Sequence, residues 1–117
     1  MTTRLYGIPN CDTVKKARTW LTDRQHDVHF HDFKKAGLDR STIESWLEHV
    51  EWDVLINRKG TTWRALDAAR KASIVDADSA ILLMLENPSI IKRPVLVTTT
   101  QTCVGFSDDT YQQIFKK

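Results

Sequence analysis

The stretch Tyr6–Ala17, "YGIPNCDTVKKA", decides how the chain is read, because a lone cysteine stands where the apolar pattern changes period. Before it, Leu5 to Ile8 reads as a short buried strand closed by Pro9. After it, Val14, Ala17 and Leu21 recur at helical spacing, so Cys11, Asp12 and Thr13 open a helix. A thiol at that junction lies against N–H groups with no intrahelical partner and at the positive end of the helix dipole. Both favour the thiolate, the nucleophilic form. Lys15, one turn on, adds positive potential if its side chain folds back, while the carboxylate of Asp12 acts the other way. A packing role is the alternative at this stage, since free cysteines are among the most buried residue types.

Working outward, Val28 to His31 reads as a second strand, with Val28 and Phe30 alternating against His29 and His31. A strand, a helix and a strand imply a parallel pair with a crossover helix. A helical middle follows. Ile43, Trp46, Leu47 and Val50 make one stripe, with Ser41 as N-cap and Glu44 three residues on. Thr61 or Thr62 caps a second helix carrying Ala65, Leu66 and Ala69. Asp78 or Ser79 caps a third, "SAILLMLEN", apolar nearly all round and so expected to be buried before Pro88 stops it. Pro94–Val97 and Cys103–Phe106 then read as strands joined by the turn "TTTQT", and Asp108 begins a last helix with Tyr111, Ile114 and Phe115 inward. The order βαβ, helices, ββα predicts an α/β fold in one domain, 1–117, with a helical insertion over about 35–92.

Composition narrows the function. A chain of 117 residues, 41% hydrophobic and 27% charged, suits one ordinary globular domain. A net charge of +2 is too small to indicate nucleic acid or an acidic membrane surface. The longest apolar run, Ala80–Leu85, is too short to span a bilayer, and "MTTRLYGIPN" lacks the apolar stretch of a signal peptide. The expected address is cytoplasmic, where two cysteines are free thiols. His29 and His31 share a strand face, but no Cys, Asp or Glu pattern completes a metal site, and Trp20, Trp46, Trp52 and Trp63 read as packing.

Two arginines complete the candidate chemistry. Arg58 lies in "LINRKGTTWR", and Arg93 directly precedes Pro94 in "IIKRPVLV". An arginine at a strand mouth is often no more than a solvated end. Two of them with a helix-terminus thiol make an oxyanion or carboxylate site, because guanidinium matches such groups bidentately.

The segments "YGIPNCDTVKKARTWL", "INRKGTTWR", "IKRPVLV" and "CVGFSDDTY" follow one another in the order and spacing of a known family over nearly the whole chain. On them the sequence resembles the arsenate reductase (ArsC)/Spx family and looks closest to its small YffB-like branch. The resemblance implies a thioredoxin-like fold with Cys11 as nucleophile at the end of the first strand. It implies Arg58 and Arg93 as anion-binding residues, Asn10 and Lys15 in support, and Pro94 after a cis bond beside the cysteine. Proline is the residue for which a cis bond costs little.

Two departures shape the functional expectation. Dithiol members carry a second cysteine three residues after the first, where this chain has Val14. The arsenate reductases carry a third arginine after the last strand, where this chain reads "VGFSDDTY" with Phe106, Asp108 and Asp109. What the resemblance implies is a monothiol oxidoreductase that works through a mixed disulfide, with glutathione as co-substrate and glutaredoxin as partner. No bound cofactor or metal, a monomer and poor use of arsenate are expected with it. The same family's Spx-type regulators bind RNA polymerase without catalysis, which is the alternative. If Pro94 marks the active-site end of its strand, Cys103 lies three or four residues away, about 10–13 Å at ~3.3 Å per residue. A disulfide needs Cα atoms within about 7 Å, so Cys103 is expected to be a core or strand residue.

Overall fold

The apolar strand and the helix after it form where the cysteine divides them. β1 spans Thr3–Gly7 and α1 spans Asp12–Asp23 in the structure, a computed structural model that describes residues 3–98 and 101–115. The chain divides into a unit of residues 1–32 with 93–117 and a unit of residues 33–92.

The first unit is built on a four-stranded sheet of order β2-β1-β3-β4, with β2 at Val28–Asp32, β3 at Val95–Val97 and β4 at Thr102–Val104. β2 runs parallel to β1 from Thr3↔Val28 to Gly7↔Asp32, as a crossover helix requires. β3 is antiparallel to β1 and β4 antiparallel to β3. Across the turn between them, the Thr98 N–H donates to the Gln101 carbonyl at 2.9 Å, while Thr99 and Thr100 of "TTTQT" lie outside the described residues.

One rung of the sheet, Phe30–Leu5–Leu96–Cys103, packs with Ala17, Trp20 and Leu21 of α1 and with Tyr111 of α7, the helix Asp108–Phe115. Trp20 meets Tyr111 edge-on, with ring centroids 5.4 Å apart and an interplanar angle of 89°, a favoured geometry for two aromatics. Cys103 is therefore a half-buried strand residue packed against the core, in line with the expectation of a core or strand residue. Its place along the strand differs from the sequence estimate. It pairs with Leu96, two residues past Pro94 rather than three or four, because Thr102 of "TTTQT" already pairs with Val97 and the turn consumes fewer residues than expected.

The unit 33–92 is helical: α2 (Arg40–Leu47), α3 (Trp52–Leu55), α4 (Thr61–Arg64), α5 (Ala68–Ala72) and α6 (Ala77–Glu86), then a 3-10 turn at Pro88–Ile90. Its boundaries correct several expectations. Asp39, not Ser41, caps α2. Its carboxylate accepts the Thr42 N–H at 2.9 Å together with the Ser41 and Thr42 hydroxyls, so a charged acceptor takes three donors at once. The helix ends at Leu47, leaving Val50 beyond it. The helix expected from Thr61 or Thr62 is two short ones, capped by Gly60 and then by Asp67, whose carboxylate takes the Arg70 N–H at 2.7 Å. α6 is capped by Asp76 rather than Asp78 or Ser79. Ser79 is instead the third helical residue of a reciprocal capping box. Ala80, Ile81, Leu83 and Met84 of α6 are buried, but Leu82 is 53% exposed, so this helix is not buried all round.

Among the described residues, no helix is long and apolar enough to cross a membrane, and no cluster of His, Cys, Asp and Glu could hold a metal ion.

The Tyr111 hydroxyl is fully buried with no hydrogen-bond partner among the described residues. A buried, unsatisfied polar group costs about 1–3 kcal/mol. Tyr111→Phe removes that group and keeps the ring, so the unfolding free energy of this variant in urea is expected to be unchanged or higher by about 1 kcal/mol. A clear loss of stability would mean that the hydroxyl is satisfied after all.

Candidate active site

The site is made by the end of β1 and the turn that follows. Ile8 to Cys11 form a turn closed by the Cys11 N–H donating to the Ile8 carbonyl at 3.3 Å. Pro9 and Asn10 are exposed at its tip. Cys11 is the N-cap of α1, with extended dihedrals of −95° and 127°, and its carbonyl accepts the first helical bond from the Lys15 N–H at 2.9 Å. The thiol is half-buried there and is a free cysteine.

The second component arrives through the sheet. Tyr6 pairs with Val95 across an antiparallel ladder, so Arg93 and Pro94 stand at the end of the sheet where β1 finishes. The Arg93–Pro94 bond is cis, in agreement with the expectation. The Pro94 carbonyl accepts the Gly105 N–H at 2.8 Å, and Gly105 has a φ of +82°, a left-handed conformation that glycine adopts without steric cost.

Burial pushes the Cys11 thiol up, but other contributions together outweigh it and its pKa lies below the ordinary value. The backbone N–H of Val14, a hydrogen bond from the Arg93 side chain, the backbone N–H of Thr13 and the positive charge of Arg93 all favour the thiolate. The sulfur makes no close capping hydrogen bond of ordinary geometry, so the two amides act as loosely held donors around a large, diffuse acceptor. Burial, rather than the Asp12 carboxylate, is the opposing effect. Cys103 goes the other way, its pKa raised by burial alone. A half-buried thiolate with a guanidinium against it is equipped for nucleophilic attack on an electrophile that carries negative charge nearby.

The structure brings Cys11, Arg93 and Pro94 together, with Asn10 in the adjoining turn. Lys15 stands on the next turn of α1, where its side chain borders an open groove with Arg18, Thr19 and Asp23. Arg58 belongs to the unit 33–92, its guanidinium 6.0 Å from the Trp52 ring centroid and 5.6 Å from that of Trp63. What sequence reasoning missed is the pair of amides, Thr13 and Val14, and the bond from Arg93 to the thiol itself. A helix start at Cys11 was the available signal for the former.

The segment "FSDDT", from Phe106 to Thr110, carries no arginine and is engaged in packing and capping. Phe106 packs edge-on against Tyr111 at 4.8 Å, and the Ser107 hydroxyl accepts the Thr110 N–H at 3.1 Å as a helix cap. Asp108 accepts from the Trp20 indole N–H and pairs with Arg24 at 3.5 Å.

The ArsC family model matches residues 6–114 of this chain. The solved structure of a YffB protein is similar at 48% identity and a TM-score of 0.90, over 96% of this chain and 97% of that one. An arsenate reductase (ArsC) related protein from Brucella melitensis is 49% identical with a TM-score of 0.77, over 100% of this chain and 97% of its own. Among curated proteins, an uncharacterized protein of Haemophilus influenzae is 41% identical over 95% of this chain and 96% of its own length. A global transcriptional regulator Spx of Streptococcus pyogenes is 29% identical over 90% of this chain and 78% of its own.

Replacing Arg93 leaves burial of the sulfur in place and removes a hydrogen bond and a charge that favour the thiolate. In Arg93→Ala the midpoint of Cys11 alkylation against pH is therefore expected to rise, with the thiolate fraction below the midpoint falling about tenfold for each pH unit of rise. Cys103 should alkylate slowly in the native protein and quickly in urea. An unchanged Cys11 midpoint in Arg93→Ala would show that the amides alone set it.

Proposed function

The chain belongs to the ArsC family, as the match over residues 6–114 requires, and on that premise we propose that it is a glutathione-dependent monothiol oxidoreductase with Cys11 as nucleophile. The observation that carries the proposal is the half-buried thiol at the start of α1 with the Arg93 side chain bonded to it. In the first step the Cys11 thiolate attacks a sulfur of a glutathione mixed disulfide. The substrate S–S bond breaks, a Cys11–glutathione disulfide forms, and the substrate leaves as its thiolate. A second glutathione thiolate then attacks the glutathione sulfur of that adduct, which returns the Cys11 thiolate and releases oxidised glutathione. The substrate is reduced and two glutathiones are joined, so the electrons balance. Val14 stands where a dithiol enzyme would hold its resolving cysteine, and Cys103 is a half-buried residue of β4 packed against the core, so the resolving thiol comes from outside. Arg93 holds the substrate anion or a glutathione carboxylate, and the family pattern gives Arg58 the same role. Asn10 and Lys15 support the site, and glutaredoxin is a further thiol donor.

A second reading draws on the relative named as the regulator Spx. In that case the chain binds RNA polymerase and does no catalysis. A stoichiometric complex with polymerase subunits that survives Cys11→Ser would favour it.

With excess oxidised glutathione, mass spectrometry of the intact protein is expected to show one glutathione on Cys11. The adduct should be removed by reduced glutathione and be absent from Cys11→Ser. Failure to form it would overturn the oxidoreductase proposal.

Arsenate is expected to be a poor substrate. The oxyanion must approach a thiolate, and Asp108 and Asp109 occupy the segment that lacks the third arginine. One missing charge-assisted hydrogen bond, roughly 1.5–3 kcal/mol, corresponds to about ten- to a hundredfold in rate. Turnover with glutathione and glutaredoxin should be slower by that factor than for a three-arginine arsenate reductase assayed alongside. Comparable rates would show that two arginines suffice.

A further inference from the structure

Gly7 is the last residue of β1, buried and paired with Asp32 of β2. It is not among the glycines with left-handed dihedrals, which are Gly37 and Gly105, so backbone conformation does not explain it. Space does. A Cβ built on Gly7 would stand 2.8 Å from Cγ2 and 3.2 Å from Cγ1 of Val14, and 3.6 Å from its Cβ. Val14 is fully buried in the first turn of α1, and a β-branched side chain in a helix has one strongly preferred χ1, so it cannot swing aside. The first turn of α1 therefore approaches β1 only because position 7 has no side chain.

That turn also carries the Thr13 and Val14 amides that lie about the Cys11 sulfur. We propose that the contact of Gly7 with Val14 is a positioning device: it seats the first turn of α1 on the end of β1 and so fixes the Thr13 and Val14 amides around Cys11. Gly7 and Val14 are positioning residues in this sense: Gly7 has no side chain, and the Val14 side chain packs at the Gly7 position. The inference deepens the reading of Cys11 as nucleophile and rests on it. It also gives Val14 a role in a place where dithiol relatives hold a cysteine. Arg93, the charged group bonded to Cys11, belongs to the segment before β3 and keeps its charge in both variants. Asp12, the neighbouring carboxylate on α1 itself, is likewise left in place.

The test is a pair of variants read by Cys11 alkylation with iodoacetamide across pH, which requires no glutathione. Its outcome is thus independent of whether the glutathione adduct forms. Gly7→Ala forces the turn outward, and alkylation at pH 6 is expected to slow about three- to tenfold as the midpoint rises. Gly7→Ala combined with Val14→Ala meets nothing nearer than the 3.6 Å contact, an ordinary one, and should return the profile to that of the wild type. A purely structural role would lower stability without moving the profile, and would not be rescued in this way. A folded Gly7→Ala protein with the wild-type profile would overturn the proposal, as would a double variant as slow as the single one. If Gly7→Ala does not fold, the double variant decides: wild-type alkylation supports the proposal, and an unfolded or slow protein overturns it.

Discussion

The antiparallel register Tyr6↔Val95 is the constraint on which the site depends. β1 is an inner strand, bonded to β2 on one side and β3 on the other, so its end is fixed from both directions. With β3 running back along it, the residues that precede β3 must come up beside the residues that follow β1. Cys11 and Arg93 are far apart in sequence, yet this one pairing leaves them at the same end of the sheet. Val95 and Leu96 are both buried, on opposite faces of β3; slipping β3 by one residue would carry Leu96 off the face it shares with Leu5, so packing of the Leu5–Leu96 rung favours the register that the chemistry needs.

The helices answer to the same rung. α1 and α7 share a layer because Ala17, Trp20 and Leu21 of one and Tyr111 of the other cover Leu5 and Leu96. Asp108 at the start of α7 adds polar definition through the Trp20 indole N–H, Arg24 and Gln112. Its pairing with Arg24 is exposed, and such pairs are worth little, about 0–1 kcal/mol. The layer is held by aromatic packing, with the carboxylate selecting the orientation.

Much of this was legible in the sequence, for identifiable reasons. The change of period at Cys11 located β1 and α1, and alternation at Val28–His31 located β2, because both signals are local. The helix caps were misread where several acceptors sit together. Asp39, Ser41 and Thr42 compete, as do Asp76, Asp78 and Ser79, and in both cases an aspartate at the first place took the neighbouring hydroxyl donors as well. The helix expected to run from Thr61 through Ala69 broke because Asp67 caps anew. Cys103 was placed too far along its strand because the sequence does not announce how many residues a threonine-rich turn consumes. The bond between Arg93 and Cys11 depends on a pairing between distant strands, and no local pattern encodes it.

The unit 33–92 leaves the sheet after Asp32 and rejoins it at Arg93. Asp32 lies beside Gly7 on one side of β1, and Val95 lies beside Tyr6 on the other. The departure and return points are therefore about two strand spacings apart, roughly 10 Å. From the viewpoint of the sheet, the inserted residues are a single excursion between neighbouring points. The entropy of closing an excursion grows only with the logarithm of its length, about 0.6 kcal/mol for each doubling. Residues can thus be gained or lost within that excursion at small cost to the strand register, and the ladder that aligns the thiol with its arginine is insulated from the history of what is inserted.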